Sequence, residues 1–195
     1  MSVFRSLSLL AALFGATPAF AASYAVDASH TQVGFAITHM MVSTVRGSFG
    51  TVSGNVEYDP KNVAATKIDA TIGVTSVDTN ESKRDDHLRS PDFFDVAQFP
   101  EMKFVSTGVK NVKKDSFELL GNLTIRGVTK PVTLTVKTFA PEAKDPWGGT
   151  RTGTRATGTI NRQDFGLTWN KALDGGGYIV GDEVEIALDV ELVRK

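Results

Sequence analysis

From Gln32 onward the hydrophobic pattern repeats every second residue. Val33, Phe35, Ile37 and His39 alternate with Gln32, Gly34, Ala36 and Thr38, as a strand with one buried and one wet face requires. Ile68, Ala70, Ile72 and Val74 alternate with Lys67, Asp69, Thr71 and Gly73. Phe117, Leu119, Leu123 and Ile125 share one face of their segment, with Glu118, Asn122, Thr124 and Arg126 on the other. Val132, Leu134 and Val136 repeat the pattern between threonines. It is clearest at the C-terminus, where Val184, Ile186, Leu188, Val190 and Leu192 oppose Glu183, Glu185, Asp189 and Glu191.

Turn residues fall where the alternation breaks. Asp59-Pro60-Lys61-Asn62 fits a type I turn, and Lys113-Lys114-Asp115 and Arg126-Gly127-Val128 sit at hairpin spacing. The pattern predicts strands near 31–39, 45–58, 66–77, 102–112, 116–126, 130–140, 151–162 and 182–193, with a short leading strand near 23–27. Long strands with one apolar face must hide two sheet edges or close on themselves. Closure into an all-β, eight-stranded antiparallel barrel is the better solution, and a two-sheet sandwich is the other. One helical segment is expected near 80–98, with Asn80 as N-cap, Glu81 in the first turn and Ser90-Pro91 as its end. The Gly-rich stretch 163–181, which carries Trp169, reads as a long loop with a role of its own.

The N-terminus changes the setting. Arg5 precedes an apolar run from Leu7 to Phe14, followed by Gly15, Pro18 and Ala19-Phe20-Ala21. The run is shorter than the roughly 20 apolar residues that span a bilayer. A basic start, a short apolar run and a small-x-small site predict a cleaved signal peptide over residues 1–21, one domain over 22–195 and a periplasmic location. Cysteine is absent, which excludes disulfides, thiolate metal sites, a cysteine nucleophile and a lipid-modified cysteine. With 21 Lys+Arg against 22 Asp+Glu, interspersed along the chain, no basic stripe offers itself to nucleic acid. No later segment is apolar for long enough to cross a membrane as a helix.

Candidate chemistry is sparse. His39 shares a face with Val33, Phe35 and Ile37, so it points inward near a strand end. It is either a core histidine bonded to the backbone or a donor to a ligand head group. Asp27 and His30 suit a turn in which both bond the backbone, and no third metal ligand lies at a familiar spacing. Arg84-Asp85-Asp86-His87 resembles acid–base material. On a helix, however, Asp85 and Asp86 point about 100° apart, and an Asp85–Arg89 surface pair fits a cap on the barrel end better. Phe93, Phe94 and Phe99 either plug the barrel or line its interior. Trp169, beside Leu167, is a candidate mobile lid, and Trp147 a surface turn aromatic. No Gly-x-Ser-x-Gly elbow, phosphate loop or dinucleotide fingerprint occurs.

The ordered set Asp27-Ala28-Ser29-His30-Thr31, Val33-Gly34-Phe35, His39, Gly47-Ser48-Phe49, Arg84 through Ser90, Asp92-Phe93-Phe94-Asp95, Phe99-Pro100, Phe104, Gly121 through Thr129 and Asn161 through Gly166 resembles the YceI-like family of periplasmic lipocalin-like proteins. The resemblance covers essentially all of the chain after the signal. It implies a lipocalin-type barrel with a tunnel for a polyisoprenoid or similar long-chain amphiphile. The expected ligand-facing residues are Phe35, Ile37, His39, Ile72, Phe93, Phe94, Phe104, Leu119 and Trp169. The leading expectation is a carrier with no catalytic residues, metal or cofactor. A lipid-modifying enzyme using His39 or the Asp85/Asp86/His87 group is an alternative. An interaction module for a membrane redox or stress-response partner, docking through Trp147 or Trp169, is another. Monomer and homodimer are both compatible with the sequence.

Overall fold

The computed structural model describes residues 21–195, so the expected signal peptide lies outside the described residues except for Ala21. The strands are β1 (Ala22–Val26), β2 (Gln32–His39), β3 (Ser43–Tyr58), β4 (Lys67–Asp78), β5 (Glu101–Lys110), β6 (Ser116–Ile125), β7 (Val128–Lys137), β8 (Ala143–Lys144), β9 (Thr150–Asn161) and β10 (Val180–Arg194). The one α-helix among the described residues, α1, runs from Ser82 to Arg89 between β4 and β5. Strands β2 through β7, then β9 and β10, pair in order, and β10 returns to β2. Every pairing is antiparallel. The ring of eight is a closed barrel and leaves no room for the sandwich.

Registry follows from the alternation. Val184, Ile186 and Leu188 of β10 stand opposite Ile37, Phe35 and Val33 of β2, so two apolar faces meet on the inside. A slip of one residue would turn both faces to water. The outer face of β10 presents Glu183, Glu185 and Asp189, where a transmembrane barrel would carry an apolar band. Among the described residues no helix is long and apolar enough to cross a membrane.

The expected leading strand exists, but it is not a ninth stave. Strand β1 pairs with Leu192–Arg194 of β10 and with Asn55–Tyr58 of β3, the same two neighbours that flank β2. Strands β1 and β2 are therefore one stave, broken by the 3-10 turn Ala28–His30 that Asp27 caps. Gly121 interrupts the apolar face of β6 because a Cβ there would collide with the Phe104 ring. The β6–β7 hairpin turns on Arg126 and Gly127, with φ of 49° and 74°, as a two-residue turn of the type that matches strand twist requires. Closure is narrowest between β7 and β9, where only Thr135↔Thr157 and Val136↔Ala156 are in register.

The helical segment is shorter than expected, and its cap differs. Asp78 takes the Asn80 amide at 2.8 Å and Asn80 is left-handed at φ 60°. Glu81 is the N-cap instead, accepting from the amides of Lys83 (3.3 Å) and Arg84 (2.6 Å). Residues 90–98 continue as turns rather than helix.

Candidate ligand-binding cavity

The barrel is packed at one end and on one side, and hollow elsewhere. At the floor Tyr58 and Phe139 stack with centroids 4.0 Å apart, and Phe117 lies 6.5 Å from Phe139. Tyr24 is buried beside them and donates to Glu142 Oε1 at 2.7 Å. Burial and that acceptor push the Tyr24 phenol up to about 12. Along β6 and β7, Phe117, Leu119 and Val136 are sealed from solvent. By contrast Phe35 and Ile37 of β2, Ile72 of β4 and Val184, Ile186 and Leu188 of β10 face inward yet are only half-buried. What they face is a cavity of about 490 Å³, lined by all six of them. That lies within the roughly 300–1,000 Å³ of small-molecule sites.

Helix α1 and the loop after β9 roof the other end. Asp85 turns inward, and its Oδ1 accepts from the Thr79 amide (2.9 Å) and hydroxyl (2.6 Å). Arg84 clasps the same residue, donating from Nε to Thr79 Oγ1 at 2.7 Å and from Nη2 to Thr79 O at 2.8 Å. These bonds fix the helix to the end of β4. Because Asp85 is committed inward, the expected Asp85–Arg89 pair does not form. Arg89 instead meets Asp86 at 3.1 Å and donates to the carbonyls of Thr75 and Val77. The two carboxylates diverge, as helical geometry demands.

His87 joins helix to loop. Its ring stands edge-on to Trp169 at 4.8 Å and to Phe93 at 5.0 Å, and its Nε2 lies 2.8 Å from Asp92. Trp169 and Phe93 are 5.3 Å apart. The loop itself hangs on Arg162, a buried guanidinium that the sequence offered only as part of a motif. Nη1 donates to the carbonyls of Leu167 and Trp169, Nε to Gly181 O at 2.8 Å, and Nη2 to Asp182 at 3.2 Å. Burial pushes the Arg162 pKa down, and Asp182 opposes that shift. The signal available in the sequence was an arginine opening a Gly-rich loop that must satisfy its carbonyls somewhere.

All of the expected ligand-facing residues, Phe35, Ile37, His39, Ile72, Phe93, Phe94, Phe104, Leu119 and Trp169, come together on the cavity wall. Leu119 and Phe104 are packed into it, at 1% and 7% exposure, and the others border open space or the roof. Phe99 is not on the wall; its ring packs against the Gly127 turn. Trp147 is a surface turn residue, 86% exposed. Wall residues outside the expected ligand-facing set include Thr79, Lys83, Arg84, Arg162 and Val184, Ile186 and Leu188 of β10. The ionisable groups on the wall are Lys83, Arg84, Arg162, His39 and His87, and no carboxylate joins them.

A second polar cluster lies on the outer face at the broken stave. Asp27 Oδ1 caps Ser29 N at 2.9 Å, as the turn requires, but the His30 ring meets Asp27 Oδ2 at 3.0 Å rather than backbone. Glu191 supplies the third donor that spacing did not reveal. Arg151 already occupies these oxygens, reaching Asp27 at 2.5 Å and Glu191 at 2.6 Å through Nη1, and Asp145 at 2.8 Å through Nε. Bonds from Ser29, then His30 and Arg151, hold the Asp27 carboxyl far below the usual carboxylate range. Arg151 lowers Asp145, and Asp27 raises His30. The lowered carboxylates stabilise the fold above their unfolded values, about 4, and that contribution is lost as pH falls toward their folded values. The raised His30 adds stability below about 6.5 that is lost as pH rises through its folded value. Arg151 holds Asp27 and Asp145 down and opposes the rise of His30, so the melting-temperature gap between wild type and Arg151→Met should be widest above the His30 titration and narrow as pH falls below about 4. A gap independent of pH in thermal scans would assign Arg151 a packing role only.

Comparison with known proteins agrees with this architecture. A family model described as YceI-like domain matches residues 24–192. A UPF0312 protein of Yersinia pestis (strain Pestoides F) is 44% identical over 190 residues, 96% of this chain and 95% of the relative. The crystal structure of Burkholderia cenocepacia BcnA superposes with a TM-score of 0.74 at 26% identity, covering 85% of this chain and 98% of that one. A polyisoprenoid binding domain from Saccharophagus degradans, implicated in plant cell wall breakdown, shares the fold with a TM-score of 0.65 at 14% identity, covering 89% and 99%.

Proposed function

The chain belongs to the YceI-like family, and on that premise we propose that it carries a long-chain amphiphile inside its barrel in the periplasm, without chemistry of its own. The cargo is a polyisoprenoid, a quinone-like lipid or a fatty acyl derivative. The observation that carries this is the cavity, about 490 Å³ with an almost wholly apolar wall closed by aromatic rings at the floor. The Saccharophagus domain of the same fold, described as polyisoprenoid binding, supports an isoprenoid tail. The basic start, the apolar run Leu7–Phe14 and the Ala19-Phe20-Ala21 site support export.

Each buried CH₂ of a tail contributes roughly 0.8 kcal/mol relative to water. Ordering the ligand offsets much of this, and a bilayer keeps the tail equally dry. Preference over the membrane then falls to the head group, which His39, Lys83 and His87 flank at the roofed end. The acidic groups there serve structure, since Asp85 holds Thr79 and Asp92 holds His87. The test uses delipidated protein carrying Trp147→Phe, so that Trp169 alone emits. Titration with geranylgeraniol should give a saturable, one-to-one change in emission. No response to geranylgeraniol, a quinone lipid or a long-chain fatty amide would refute carriage.

A further inference from the structure

The β2–β3 hairpin carries an anomaly. Val42 N donates to His39 O at 3.0 Å, which closes a two-residue turn on Met40 and Met41. Both are left-handed, with φ of 52° and 58°. Such a turn favours Asn-Gly, and an L side chain with a Cβ is strained there. The β6–β7 hairpin meets that preference at its second position, with Gly127. The methionines gain little packing in return: Met40 is 40% exposed, Met41 67% and the following Val42 85%. A strained turn has been filled with apolar side chains that stay partly or largely exposed.

This tip is tied to the Gly-rich loop. Met40 N donates to Ile179 O at 2.7 Å, and Met41 covers Gly177 so closely that a Cβ there would collide with it. Tyr178, between them, is 61% exposed. The patch is continuous with the cavity, because the adjoining His39, Ile179 and Val180 line it. The cavity wall behind this entrance carries Lys83, Arg84 and Arg162 and no carboxylate, so an anionic head group meets cations there. Lys171 sits at the base of the same loop, and among the described residues neither it nor Lys83 is paired with a carboxylate. Asp85, Asp86, Asp92 and Asp182 at this end are engaged by Thr79, Arg89, His87 and Arg162. Asp174 on the loop, and the exposed Glu81, Asp164 and Glu183 at this end of the barrel, are the opposing charges.

We propose that Met40, Met41, Val42 and Tyr178 dock the barrel on an anionic lipid bilayer with the cavity entrance facing the lipid. This rests on lipid carriage as the function. Shallow insertion of the tip removes apolar surface from water, and the flanking lysines are drawn to the negative surface. A tail then passes between bilayer and cavity without crossing bulk water.

The test is co-sedimentation of the protein purified from the cell envelope with vesicles of phosphatidylglycerol and phosphatidylethanolamine. Wild type should bind them at low salt, and phosphatidylcholine vesicles several-fold less. The decisive variant is Met40→Asn with Met41→Gly, which suits the turn better. It should melt no lower than wild type yet bind vesicles at least ten-fold more weakly. Lys83→Gln with Lys171→Gln should weaken binding several-fold and flatten its salt dependence. Equal binding by wild type and the turn variant overturns the proposal. So does wild type that takes up geranylgeraniol but ignores vesicles, a result that leaves carriage standing. A dimer in sedimentation velocity that the turn variant dissociates, with no vesicle binding, also overturns it and assigns the patch to a second copy of the chain. Absence of both lipid uptake and vesicle binding defeats docking and carriage together.

Discussion

Replacing Arg162 with methionine should lower stability by about 3 kcal/mol and release the loop that roofs the cavity. The guanidinium satisfies the carbonyls of Leu167, Trp169 and Gly181 from one buried position. Each of these groups loses its partner in the variant, at about 1 kcal/mol or more apiece. Methionine keeps the apolar stem, so the loss is one of hydrogen bonds rather than volume. Trp169 would leave the rings of His87 and Phe93, and on a Trp147→Phe background its native-state emission should shift to the red. Arg162→Lys should recover only part of the stability, since an ammonium lacks the planar fork that reaches these acceptors together. Urea midpoints and native emission that match wild type would show that the loop stands without its pin.

The second large effect separates the packed side of the barrel from the hollow one. Leu119→Ala should cost about 2–5 kcal/mol, because a sealed side chain is lost and a new void opens behind it. Ile186→Ala, at an inward position on the opposite wall, should cost about 1 kcal/mol. Ile186 is half-buried and borders existing space, so little beyond partial transfer free energy is lost. Chemical denaturation of both variants measures the difference. Equal, large losses would mean that the wall along β2 and β10 is packed and the cavity closed.

Much of the barrel was legible because alternation is a local property. The strand expected at 116–126 is β6 at Ser116–Ile125, and that expected at 182–193 is β10 at Val180–Arg194. Opposed apolar faces then set the register of β10 against β2. What alternation cannot show is which staves coincide. Strands β1 and β2 look like two strands in sequence and act as one, because both lie between β3 and β10, a shared position that local alternation does not record.

The helix cap was misplaced for a similar reason. Asn80 suits an N-cap by type, but Asp78 holds its amide and Glu81 reaches the first turn. The Asp85–Arg89 pair lost to a tertiary bond, that of Asp85 to Thr79. In the cavity, inward periodicity and aromatic content found the wall. They missed Arg162 and Lys83, whose placement depends on the path of the loop and on the facing of α1. Polar groups on irregular segments carry no period, so only the assembled structure places them.

If this barrel holds a lipid, mass spectrometry of the protein purified from the cell envelope will find it there. The intact mass is read under native conditions and again after solvent extraction, with Ile186→Trp beside it as a variant whose cavity is filled. A long-chain isoprenoid or acyl species is expected near one per wild-type barrel, absent or much reduced in Ile186→Trp. A bare protein mass in both, with no uptake of prenyl, quinone or fatty amide lipids offered afterwards, would contradict it.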